Sequence, residues 1–156
     1  MASQTLLKKL INDYKSGEDF NGFDELYKWQ LLKSTSGKTP LEIVQATNGQ
    51  NIVDNERVDG VFKKLLAEKS DALLKCVENL FDETKPLIDR LANYKAEMRN
   101  ICPIDWKQCA NDERTAAALL TCHNPQTYTF YKDEIYKLIC AYFGYKPQNA
   151  GQKYVH

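Results

Sequence analysis

The tetrapeptide Ser36-Gly37-Lys38-Thr39 ends like a phosphate-binding P-loop. That chemistry requires Gly-x-x-x-x-Gly-Lys-Ser/Thr after a buried strand, so that backbone N–H groups cradle the phosphates and the lysine reaches the outer ones. The first glycine of the pattern falls at position 32, which is Leu32. The preceding segment has helical spacing, and Pro40 supplies an ordinary helix start. The segment reads as a polar loop before a helix.

A second set, Cys102, Cys109, Cys122 and His123, carries metal-ligand side chains. Structural zinc sites use close pairs such as Cys-x-x-Cys. The gaps here are irregular, and buried cysteine otherwise behaves as a small hydrophobe. These residues therefore read as core or surface thiols. A thiol nucleophile would need an imidazole within hydrogen-bond reach and a third group to orient it. Only His123 and His156 are available, and adjacent residues such as Cys122 and His123 normally point different ways. We expect no catalytic residues, no metal and no cofactor.

Tyr128, Phe130, Tyr131 and Lys132 stand together, with Lys137, Tyr145, Lys146 and Lys153 beyond them. Aromatics interleaved with cations can stack bases and follow a phosphate backbone. The same residues also suit a core of tyrosines with paired hydroxyls, covered by lysine. On residue types alone the second reading is favoured. Tyr27, Trp29 and Lys33 pose the same choice, with Trp29 the better core anchor.

These residues need elements to hold them, and the apolar spacing is helical almost throughout. Leu6, Leu7, Leu10, Ile11 and Tyr14 form a stripe after a Ser3 cap. A second helix is expected over about 22–34, and a third opens at Thr39-Pro40. Further helices follow around Val58–Leu66, from a Ser70 cap through Phe81, and from Thr84 to about Arg99 with Pro86 in the first turn. Asp112 caps another that stops before Asn124-Pro125. Tyr128–Tyr131 is β-prone. The last helix carries Ile135, Tyr136, Leu138, Ile139 and Tyr142, and Gly144 is its C′ stop. The expectation is an all-α domain over residues 1–156, of about eight helices with at most one short strand pair. The tail 151–156 reads as lacking structure, as if cut from a longer chain.

Composition fits a globular domain: 43% of residues are hydrophobic and 27% charged. Twenty-one basic residues balance 21 acidic ones, which argues against a purely salt-driven nucleic-acid binder. No signal peptide or bilayer-length apolar run is present. Five cysteines without an export signal imply reduced thiols. The expected location is cytoplasmic, with no membrane partner.

Three segments resemble the N-terminal region of McrB-type restriction proteins, which are AAA+ NTPases of modification-dependent restriction systems. They are Tyr27-Lys28-Trp29, Leu80-Phe81-Asp82-Glu83, and Asn111 to Thr121 continuing through Asn124-Pro125 to Tyr128–Lys132. The family's Walker A, Walker B and sensor residues are absent from this chain. The resemblance implies a non-catalytic DNA-recognition module, in some members reading modified cytosine. Its partners would be DNA, the downstream AAA+ motor and the nuclease subunit. Lys33, Arg114, Tyr131 and Lys132 would be the DNA-binding candidates. The neutral charge leaves a second role, a helical assembly domain docking on the motor, on the nuclease or on itself.

Overall fold

The structure is a computed structural model describing residues 8, 9, 12, 23–47, 55–102 and 109–156. Among them the chain is all-α, with seven helices and no strand. They are α1 Phe23–Thr35, α2 Pro40–Thr47, α3 Asn55–Glu68, α4 Ser70–Phe81, α5 Leu87–Ile101, α6 Glu113–His123 and α7 Asp133–Phe143. The N-terminal stripe lies outside the described residues; Lys8, Lys9 and Asn12, which are interspersed with it in sequence, are helical.

Local chemistry fixes most of the helix ends. Gly37 takes a left-handed φ of 73° just after α1. Thr39 then opens α2 with a reciprocal capping box: its N–H and hydroxyl both donate to Glu42, at 2.9 and 2.8 Å, and the Glu42 N–H donates back at 3.3 Å. The P-loop-like tetrapeptide is therefore a helix stop followed by a helix start, and Glu42 already occupies the Thr39 N–H. Asp112 caps α6 by accepting from the Thr115 N–H at 2.8 Å. Gly144 ends α7 at φ 70°, with the Tyr145 N–H donating to the Cys140 carbonyl at 2.8 Å.

Two expected starts move. Ser70 is the first residue of α4, and the preceding Lys69 holds the cap position without a side-chain cap. Pro86 holds the cap position of α5, with ψ 139°. Thr84 instead closes a turn through its N–H and hydroxyl on Asp82. The β-prone run Tyr128–Tyr131 forms no ladder. It is an irregular connector that packs Tyr128 and Phe130 against the core.

Helix α6 organises the molecule. Every residue from Thr115 to Cys122 is buried, the pattern of a helix surrounded by others. It packs on α1, α2, α4 and α5, while α4 and α5 form the most extensive pair. Ala116, Ala117 and Ala118 keep its surface low, so neighbouring side chains approach its backbone closely. Around it lie Ile43, Val44, Phe62, Leu65, Leu73, Leu80 and Met98, all within 1% of complete burial. Tyr94 is buried with them and donates its hydroxyl to the Ala110 carbonyl at 2.8 Å.

Candidate interaction surface

Helix α7 differs from the other six. Asp133 and Glu134 suit its first turn and Gly144 stops it, so the sequence makes a well-formed amphipathic helix. Cys140 is its only buried residue. Ile135, Leu138, Ile139 and Tyr142 are spaced i, i+3, i+4, i+7 and share one face. The sequence pattern implies that this face turns inward, whereas it is turned to solvent. With Phe143 and Tyr145 at its end, these side chains are 38% to 66% exposed. A helix pattern records that one face is apolar, not what covers it.

What holds α7 is the chain on either side of it. Glu113, first residue of α6, accepts backbone N–H groups from Gly151, Lys153 and Tyr154 at 2.9, 3.0 and 3.3 Å. The positive end of α6 adds to this anchoring of the carboxylate. Asp133 receives the ammonium groups of Lys137, at 2.6 Å, and Lys153, plus the Tyr131 hydroxyl at 3.0 Å. Those contacts, Lys137 foremost, hold its carboxyl well below the usual carboxylate range. Tyr154 packs on the core and exchanges two hydrogen bonds with the Thr129 backbone, at 3.2 and 2.8 Å. Tyr136 accepts from the Gln148 N–H and shares a 2.8 Å bond with His156. The tail is thus a docked series of turns, not the unstructured end that its sequence suggests. Its partners lie from 12 to 41 residues away, beyond the reach of any local motif.

A second polar cluster lies between α4, α5 and the turn after α6. Arg90 is 5% exposed. It donates to the Leu80 carbonyl and to the Tyr128 hydroxyl, both at 2.9 Å, and its guanidinium lies over the Tyr128 ring. The Tyr128 hydroxyl donates on to Glu83 at 3.1 Å, and the Asn124 amide donates to the same oxygen. Beside them His123 stacks on Phe81 with centroids 4.1 Å apart. Burial, reinforced by Arg90 against the opposing pull of Glu83, lowers the His123 pKa. Its Nδ1 is enclosed without a hydrogen-bond partner. A neutral ring with its proton on Nε2 leaves only an acceptor there. The cluster joins the Leu80–Glu83 and His123–Tyr128 segments, with Arg90 Nε enclosed and without a hydrogen-bond partner.

Of the four DNA-binding candidates, Tyr131 and Lys132 are neighbours by sequence. Tyr131 is half-buried, edge-on to Tyr154, with its hydroxyl on Asp133. Lys132 is exposed at the start of α7, and Lys33 is exposed on α1. Arg114 is half-buried on α6, its Nε enclosed without a hydrogen-bond partner. Among the described residues, neither Lys33 nor Arg114 hydrogen-bonds to the Tyr131–Lys132 pair. The side chains of Tyr27 and Trp29 lie outside the described residues. The residues that hold α7, namely Glu113, Asp133, Lys153 and Tyr154, went unnoticed as a group because no short spacing connects them.

The thiol candidates are core residues. Burial pushes Cys122 up to about 11, and burial followed by its contact with Cys109 takes Cys102 up to about 12. All five cysteines are free thiols. No three His, Cys, Asp or Glu side chains converge as metal ligands among the described residues. A cleft of about 490 Å³ lies between α5, the start of α6 and the tail, but its acidic groups are engaged, Asp112 as a cap and Glu113 by the tail.

No helix among the described residues is long and apolar enough to cross a membrane. The chain matches no protein-family model, no curated protein and no solved structure.

Proposed function

We propose that this is a protein-interaction domain whose docking element is α7. The observation that carries the reading is the exposed stripe Ile135, Leu138, Ile139 and Tyr142 on a helix otherwise fastened by its flanks. Contiguous exposed apolar area beyond a few hundred Å² marks an interaction site on a soluble chain. A helix presenting i, i+3, i+4, i+7 anchors is a standard recognition form. The balanced charge of the chain suits this role. Within the restriction-system setting that the sequence resembles, the role is assembly rather than target reading. The DNA-reading alternative draws less support, because Lys137 and Lys153 share Asp133, and Tyr131 is tied to it as well.

A photo-reactive residue at position 138 tests the reading in cells. The expected result is one discrete protein adduct, abolished by Ile135→Asp. Absence of any adduct, together with salt-dependent binding to duplex DNA, would replace it with the nucleic-acid role.

A further inference from the structure

Resting on that reading, we infer that the α7 face binds a second copy of this chain, as an antiparallel helix pair about a two-fold axis. The four stripe residues are symmetric about the midpoint between Leu138 and Ile139. An axis through that point sets Ile135 opposite Tyr142 of the second copy, and Leu138 opposite its Ile139. Such self-complementarity is what an isologous interface requires.

Charge supports the same orientation. Glu134 borders the stripe at the start of α7, and Lys146 follows its end. Both are exposed, and among the described residues neither has an ion-pair partner in its own chain. Antiparallel pairing brings Glu134 of each copy toward the Phe143–Lys146 end of the other. It also opposes the two helix dipoles. A formal net charge of zero means that whole copies do not repel one another.

Ile135, Leu138, Ile139, Tyr142, Phe143 and Tyr145, at 38% to 66% exposure, leave on the order of 700 Å² of surface per copy; pairing that covers part of it stays below the ~800 Å² per side of a standard interface, which sets the expectation of a weak, reversible dimer.

Sedimentation velocity of the full chain, from about 1 to 200 μM to span the weak end of such interfaces, tests this directly. The expected result is a reversible monomer–dimer equilibrium. Leu138→Asp weakens it roughly 30-fold or more, as loss of a central anchor does. Glu134→Lys and Lys146→Glu each weaken it, and the double reversal restores it. A dimer indifferent to Leu138→Asp, or a charge pair without rescue, overturns the arrangement. A wild-type chain that stays monomeric overturns the inference, and the melting temperature of Leu138→Asp then decides the fate of the broader reading. An unchanged melt leaves α7 free for a different protein, whereas a large drop means that the chain covers its own face, which removes the interaction role too.

Discussion

Tyr94 fills the space between α5 and the turn before α6, and its hydroxyl is the partner of the Ala110 carbonyl. Tyr94→Phe preserves the ring and leaves that carbonyl unpaired. The expected cost is about 1–2 kcal/mol in urea unfolding. His123 makes a prediction in pH rather than in packing. Its folded pKa lies below the ordinary histidine value. Below about pH 6.5 the unfolded chain therefore takes up a proton that the folded chain resists, and stability falls as pH falls. His123→Phe retains the stack on Phe81 and removes the titration. Thermal melts between about pH 7 and pH 5, spanning the histidine range, should show a flatter decline for the variant than for the wild type. A parallel decline would mean that His123 adds nothing to the pH dependence.

The elements divide into those that a local rule specifies and those that distant contacts specify. Asp112, Gly144 and Thr39-Pro40 were legible because a cap or stop needs only residues within one turn of it. Ser70 and Pro86 were each displaced by one position or two, since a serine or proline fits more than one site at a helix start. The docking of the tail was not legible at all. Glu113 reads as an ordinary acidic first-turn residue, and nothing near it in sequence announces three amide donors from residues 151–154. Glu113→Ala should release that segment while leaving the helices in place. Limited proteolysis would then cut beyond Gly144 first, with the melting temperature lowered by only a few degrees, the scale of one or two charge-assisted hydrogen bonds. Acid acts on the same region through Asp133. Its folded pKa is depressed, so its contribution is complete above the ordinary carboxylate range near pH 4 and is lost as pH falls below it. Protease susceptibility of the tail should accordingly rise below about pH 4, in line with the unfolded-state value.

For the molecule as a whole, the all-α class followed from the 3.6-residue period, which the core of α4 obeys, whereas α6 is buried all round. The same period misplaced α7. Leu120 and Leu138 look alike as members of apolar stripes, yet Leu120 is fully buried and Leu138 is 66% exposed. The two substitutions to alanine separate these environments. Leu120→Ala should cost about 2–5 kcal/mol, as buried leucine truncations do. Leu138→Ala, measured at sub-micromolar concentration, should fall within about 0.5 kcal/mol of the wild type. A large loss from Leu138→Ala would show that α7 is covered within the chain.

The double hydrogen bond between Thr129 and Tyr154, 25 positions apart, gathers the ends of a stretch that has Cys140 as its only fully buried side chain. Such a stretch behaves as one cooperative unit, whose opening does not require the rest to unfold. Amide hydrogen exchange should therefore report two classes of protection. Residues of α7 and the tail would share one modest opening free energy, while α4, α5 and α6 would exchange only through global unfolding. A surface carried on such a unit would be withdrawn or presented as the Thr129–Tyr154 pairing opens or closes, with the packing of α4, α5 and α6 retained.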